Sequence, residues 1–283
     1  MSLDDIKDQF TGSLQSQKRA SATIIAYKKD IEQLIEYLGT INKSNFDEVA
    51  EADLNAFLAK LGALGFTPKT ISRKINSLKT FYRFLGTQGI AKTNAAVAVS
   101  HPKFENKPPR VLSRMEYRAL RDACRDDPRI AAVVELLLQT GMRIGELAAL
   151  TLDSISDSFI RIPQIEEHPE REVPLNKPVK AALDRYLSVR PKVKTNALFV
   201  TKTGRPLLIR NVRTAIDRYF RVAGIRDAKV NDLRHTFIVH HLASGASPLL
   251  VSKLVGHKRI STTERYLELT KGIQIEKAKL EEL

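Results

Sequence analysis

Leu254-Val-Gly-His257-Lys-Arg-Ile-Ser261-Thr-Thr-Glu264-Arg-Tyr266 is the stretch whose reading decides the rest of this chain. Gly256 reads as a helix C-terminal glycine, closing a helix that Ser247-Pro248 opens as N-cap and first-turn residue. Ser261 with Glu264 has the spacing of a capping box, which sets Tyr266 within the first turns of the next helix. Taken singly, a histidine after a C-cap is a surface residue and a tyrosine on a short helix is a core residue. A tyrosine that attacks phosphorus needs more, because its hydroxyl ionises only near pH ~10 when unperturbed. It requires cationic groups that hold a phosphate and stabilise developing charge.

Two upstream segments offer such groups. Thr140-Gly-Met-Arg143-Ile-Gly-Glu146-Leu places Arg143 at a helix start just after a glycine turn, with Glu146 three residues on to hold the guanidinium. A helix N-terminus attracts phosphate and an arginine there adds a two-pronged donor. Asn231-Asp-Leu-Arg234-His235 opens another helix and supplies a second arginine.

The surroundings are basic. The 283 residues carry 46 Lys+Arg against 32 Asp+Glu, a formal net charge of +14, which favours a polyanionic partner. From Leu54 to Phe104 there is no Asp or Glu. Within that stretch Thr67 to Leu85 has helical periodicity, with Ile71, Ile75, Leu78, Tyr82 and Leu85 on one arc. Lys69, Arg73, Asn76, Ser77, Thr80 and Arg83 lie on the opposite arc, a basic and polar face with no acid to neutralise it, as a phosphate-facing helix requires. Ala20 to Leu38 and Asp53 to Leu64 are further amphipathic helices. The expected organisation is an all-helical domain over residues 1–100, a Pro-rich linker over 101–110 (HPKFENKPPR) and a second domain over 111–283. The second domain is mostly helical with a small sheet: strands over Ser158–Ile165 and Arg171–Leu175, and a short one over Ala197–Thr201.

Several function classes drop out. A single cysteine, Cys124, forbids an intrachain disulfide and fits a reducing cytoplasm. Met1 to Phe10 carries acids and no apolar run, so it is not a signal peptide, and no stretch is long and apolar enough to span a membrane. His235, His240, His241 and His257 lack the spacing and acidic partners of a metal site.

In order and spacing together, TGMRIGEL, NDLRHTF, LVGHKRISTTERY and the N-terminal TPKTISRKINSLKTFYRFL resemble the tyrosine recombinase (phage integrase) superfamily, and are most similar to its Xer-type members, which resolve chromosome dimers. The resemblance implies a helical core-binding domain followed by a mixed α/β catalytic domain. It implies that Tyr266 attacks a backbone phosphate to give a 3′-phosphotyrosyl link and a free 5′-hydroxyl. Arg143 and Arg234 hold the non-bridging oxygens, His257 hydrogen-bonds the phosphate and Glu146 supports Arg143. It implies no metal or other cofactor, and a double-stranded DNA site bound by a homodimer, with a homotetramer in synapsis. In that assembly a short helix over Ile273–Leu283 docks on the neighbouring catalytic domain, the alternative being that it docks on its own.

Two positions depart from the family pattern. Asn231 stands where a histidine is usual, and serves either as a phosphate hydrogen-bonding group or as a helix N-cap. The hairpin run Ile162-Pro-Gln-Ile-Glu-Glu-His-Pro-Glu-Arg171 lacks the family's lysine, the proton donor to the leaving oxygen. Lys202 and His168 are the substitutes at hand, since an arginine such as Arg161 or Arg171 is a poor donor. These gaps motivate a DNA-binding relative with impaired catalysis as a competing reading. A mobile-element integrase is the other, disfavoured by the expectation that only about twenty residues precede the first helix, too few for an arm-binding domain.

Overall fold

The computed structural model describes residues 2–271, except 106 and 167. The expected helix over Ile273–Leu283 lies outside the described residues. The chain divides into two compact units, residues 1–106 and 107–283.

The first unit is helical: α1 (Leu3–Ser16), α2 (Ser21–Thr40), a 3-10 turn (Phe46–Glu48), α3 (Glu51–Ala63) and α4 (Pro68–Thr87). Thr67 caps α4, accepting from the Thr70 amide, and Pro68 takes the first turn where no amide donor is needed. The apolar arc of α4, with Ile75, Leu78, Phe81, Tyr82 and Leu85, packs against Phe10 and Leu14 of α1, Ile31, Leu34 and Leu38 of α2, and Leu54, Phe57 and Leu61 of α3. Phe81 is the hub, meeting Phe10 edge-on at 5.0 Å and Phe46 at 4.8 Å between ring centres. The sequence reading missed α1 and started the helices at α2. Its signals are short: a Ser2–Asp5 capping box and Ile6, Phe10 and Leu14 at a spacing of four.

The basic face of α4 also needs correcting. The helix has no acid of its own, but Asp30 of α2 reaches it. Arg73 forks onto Asp30 at 2.6 and 2.9 Å, and the fully buried Lys74 donates to the same carboxylate at 2.7 Å. Arg73 is therefore tied into the fold, and Ser77 is buried rather than on the polar arc.

The second unit contains α5 (Arg114–Ala123), α6 (Pro128–Thr140), α7 (Ile144–Ala148), the antiparallel pair β1 (Phe159–Ile162) and β2 (Arg171–Pro174), α8 (Lys177–Val189), α9 (Ile209–Val222), α10 (Val230–Ala243), α11 (Pro248–Val255), α12 (Ile260–Glu264) and α13 (Leu267–Thr270). The apolar α6 is central: Ile130, Val133, Val134, Leu136 and Leu137 are buried among residues of α8, α9 and α10. Both strands are shorter than expected, and Ala197–Thr201 makes only isolated bridges, Ala197 with Thr151 and Val200 with Pro206. Its carbonyls are taken by side chains of the flanking helices: Leu198 accepts from the Tyr186 hydroxyl and Arg190 at the end of α8, and Val200 from Arg129 of α6. Among the described residues no helix is long and apolar enough to cross a membrane.

The pairing of one buried carboxylate with two cations gives a graded expectation. Asp30→Asn leaves the Lys74 ammonium buried without its counter-charge and lowers stability by about 3 kcal/mol. Arg73→Ala, at a half-exposed end of the same network, costs about 1 kcal/mol or less. Urea unfolding of the three proteins checks the order; an Asp30→Asn variant as stable as wild type contradicts it.

Candidate active site

The site begins at the end of α6. Gly141 adopts a left-handed φ of 61°, and a Cβ there would lie 2.5 Å from the Phe237 ring, so both backbone and space require glycine. The turn delivers Arg143 to the N-cap of α7, where its amide donates to Glu146 Oε2 at 2.7 Å. Its guanidinium reaches Glu146 Oε1 at 3.0 Å and the Gly256 carbonyl at 3.1 Å.

Glu146 is nearly fully buried and serves a second arginine. Arg171, the first residue of β2, forks onto both carboxylate oxygens at 2.9 and 2.7 Å, while its Nε donates to the Leu254 carbonyl at 2.8 Å. Arg143 and Arg171 thus converge on one carboxylate and on the carbonyl end of α11, where the helix dipole favours cations. Gly256, with φ of 67°, closes that helix; a Cβ there would stand 2.8 Å from Arg171 Nη1. Its glycine is needed for the arginine's passage as well as for the turn. Burial pushes the Glu146 carboxyl up, but the hydrogen bonds and charges of Arg171 and Arg143 outweigh it and hold it down at about 2.

Arg234 comes from the second turn of α10. It is buried, donates from Nη1 to the Gly141 carbonyl at 2.6 Å, and has no hydrogen-bond partner for Nη2 among the described residues. Burial, then the Arg143 charge, pulls it down to about 9, so it stays cationic at neutral pH. His257 follows Gly256, and its Nδ1 meets the Thr263 hydroxyl at 2.7 Å. Burial, followed by Arg234, Arg143 and Arg171, lowers His257 to about 4, leaving it neutral and able to hydrogen-bond without carrying charge at pH 7.

Tyr266 lies at the junction of α12 and α13. Its ring stacks near that of His257, centres 6.3 Å apart and planes 19° from parallel, and packs against the cluster formed by Phe237, Ile238, Leu242, Val251 and Val255. Burial raises the hydroxyl's pKa, while Arg234, Arg265 and Arg143 pull it back. The structure therefore brings Arg143, Arg234, His257, Tyr266 and Glu146 together. Three guanidinia face one carboxylate there, an excess of positive charge fitted to an anion.

Other expected positions fall differently. Asn231 is not the N-cap of α10: Lys229 is, with Asp232 accepting from its amide at 2.8 Å, and Asn231 is exposed at the second helical position. Ser261 does not open a helix either, because α12 begins at Ile260 with Arg259 as N-cap. Lys202 lines a cleft with Arg129, Arg210 and Arg218 that none of the five converging residues borders. His168, in the hairpin turn, is half-buried with no hydrogen-bond partner for Nδ1 among the described residues, and burial and then Arg143 lower its pKa. Among the described residues no three His, Cys, Asp or Glu side chains gather as a metal ligand set. On the first unit, Asn76 and Arg83 line a basic cleft with Arg19, Thr23, Tyr27, Lys79 and Thr80, and Lys69 is exposed.

Sequence reasoning missed Arg171 as a member of the site. Its signal was the hairpin position itself, where it stood as a flank of the turn. The Glu146 carboxyl, lower in the folded protein than its ordinary 4.5, stabilises the fold above that value and loses its contribution as pH falls toward 2. Glu146→Gln removes that dependence. Between pH 6 and pH 3 wild type loses about 2 kcal/mol more stability than the variant, measured by urea unfolding. Equal losses contradict the shared-carboxylate geometry.

Residues 110–272 match the phage integrase family, and residues 8–89 match the phage integrase N-terminal SAM-like domain. The chain is 33% identical over 274 residues to tyrosine recombinase XerC of Alcanivorax borkumensis, covering 92% of this chain and 88% of that protein. It is 31% identical over 265 residues to tyrosine recombinase XerD of Oceanobacillus iheyensis, covering 88% of each. Among solved structures, a lambda integrase dimer bound to a COC′ core site superposes with a TM-score of 0.79 at 18% identity, covering 99% of this chain and 81% of that one. The crystal structure of XerA recombinase gives 0.54 at 24% identity, covering 94% and 93%. The pocket built from α6, α10 and α11 thus has a family: the chain belongs to the phage integrase family and is a tyrosine-type site-specific DNA recombinase.

Proposed function

We propose that Tyr266 is the nucleophile of a strand-exchange reaction that resolves joined chromosomes in the manner of the Xer recombinases, in the cytoplasm and without a cofactor. One observation carries this reading: the Arg143 guanidinium reaches the Gly256 carbonyl next to His257, Arg234 reaches the carbonyl of Gly141 in the turn that delivers Arg143, and the Tyr266 ring stacks beside His257, so separate segments of the chain bring these groups to one place. In the reaction the Tyr266 Oη forms a bond to phosphorus and the bond from phosphorus to the 5′-oxygen breaks. The tyrosine proton leaves to solvent or a pocket base, and the 5′-oxygen takes up a proton. Rejoining runs the same steps backward with a 5′-hydroxyl from the exchanged strand. The phosphotyrosine conserves the bond energy.

Arg143 and Arg234 bind the non-bridging oxygens and stabilise the charge that builds on them. Glu146 and Arg171 hold Arg143 in place, so that little reorganisation is needed when phosphate arrives. His257, neutral at pH 7, is a hydrogen-bonding partner to the phosphate. Asn231, one turn before Arg234, lies at the exposed start of α10, where its amide meets the DNA backbone. Residues 1–100 act as the core-binding domain, with Lys69, Asn76 and Arg83 on phosphates and the fold-anchored Arg73 beside them; residues 101–110 link them to the catalytic domain, 111–283. The partner is a double-stranded recombination site, filled by two copies of the chain and synapsed as four.

A nicked suicide substrate, which traps the covalent adduct, tests this on a denaturing gel. Tyr266→Phe forms no adduct and retains its DNA affinity, since one oxygen and no charge is lost. Arg143→Ala and Arg234→Ala each slow adduct formation by ~100-fold or more, about 3 kcal/mol of transition-state stabilisation. Adduct from the phenylalanine variant overturns the assignment, and a wild-type protein that binds DNA without cleaving it supports a relative with impaired catalysis.

A further inference from the structure

The histidine beside the second arginine has no part in the chemistry described above, yet it touches the nucleophile. His235 lies on α10 next to Arg234, and its ring centre is 5.9 Å from that of Tyr266, with the planes at 50°. The ring is mostly buried. Its Nδ1 stands 3.4 Å from Asp232 Oδ1 and makes no hydrogen bond among the described residues, so packing rather than hydrogen bonding holds it. Asp232 is itself fixed, because its other oxygen accepts from the Lys229 amide that caps α10. Beyond the ring contact, α10 and α13 pack directly on each other.

We propose that His235 is a positioning residue for Tyr266: its mostly buried imidazole is the wall against which the nucleophile's ring rests. Tyr266 needs such a wall. It sits at the junction of α12 and α13, helices of five and four residues that have little rigidity of their own. In-line attack requires the hydroxyl to be held within a fraction of an ångström of its path, and aromatic contact supplies direction as well as apolar area. Arg234 and His235 are consecutive residues on one helix. The same turn of α10 thus places the group that holds phosphate and the group that aims the nucleophile, so the two are set relative to each other by helix geometry. The ring is fixed by its burial and by the helix it stands on, with the Asp232 carboxylate beside it. That arrangement suits a strut.

This inference rests on Tyr266 being the nucleophile, and the experiment separates the two. Single-turnover cleavage of a nicked suicide substrate is measured for wild type, His235→Ala, His235→Phe and His235→Gln, with DNA affinity measured alongside. Misplacing the hydroxyl by about an ångström costs up to ~100-fold in rate. His235→Ala is therefore expected to slow cleavage roughly 10- to 100-fold with affinity changed less than about twofold. His235→Phe, which keeps a ring and loses both nitrogens, recovers most of the rate, whereas His235→Gln, polar but ringless, stays slow. A substrate with a 5′-bridging sulfur, whose leaving group needs no proton, shows the same defect in His235→Ala, because the residue acts on the attacking side. The inference is overturned if His235→Ala cleaves at the wild-type rate, if glutamine rescues and phenylalanine does not, or if the sulfur substrate erases the defect. Should the alanine variant fail to fold, the phenylalanine and glutamine variants, which fill the space, decide the matter. If wild type forms an adduct through a residue other than Tyr266, the parent reading fails and this one with it.

Discussion

A single buried carboxylate organises the catalytic unit. Glu146 accepts from the Arg143 amide and guanidinium and, through both oxygens, from Arg171. It ties the start of α7, the first residue of β2 and, through the two arginines, the carbonyl end of α11 into one network. Burying a carboxylate alone is costly, and only a full set of charged donors offsets it. Arg143 cannot turn away from Glu146 without leaving that carboxylate half satisfied, so the energetics that hold the fold also pre-orient the guanidinium to which the proposed reaction assigns the phosphate.

The balance of charge follows from the same network. Two guanidinia share one carboxylate and a third, that of Arg234, stands near them without a carboxylate of its own among the described residues, so the surplus shows on the surrounding groups. Arg234 is pulled down to about 9 and His257 to about 4, first by burial and then by the arginine charges. An anion placed among these cations relieves that repulsion, as the monoanionic phosphodiester of the proposed reaction would. Tyr266 feels both sides: burial disfavours its ionised form, and the arginines favour it.

Much of this was legible in the sequence where the signal is local. Gly141 and Gly256, the Ser247-Pro248 helix start, the N-cap position of Arg143 and its link to Glu146 all depend on residues within a few positions of one another. What escaped depends on distance along the chain. Arg171 meets a carboxylate 25 residues away, and Asp30 meets Arg73 and Lys74 across 43 and 44 residues. No periodicity reports such pairs. The basic face of α4 looked unneutralised because its acid sits on another helix. Asn231 and Ser261 show the opposite failure: each has a good capping side chain, and each lost the position to the residue two places earlier, Lys229 and Arg259, where the helix turns in.

The most direct test of the central claim is a crystal structure of the protein on DNA ends bridged to Tyr266 by vanadate, which mimics the five-coordinate phosphorus. The account expects Arg143 and Arg234 on the equatorial oxygens, His257 within hydrogen-bonding distance of one of them, and Glu146 still gripping both Arg143 and Arg171. A vanadate bound away from Arg143, or an Arg143 that reaches it only after Glu146 has let go, contradicts the claim that this carboxylate builds the site.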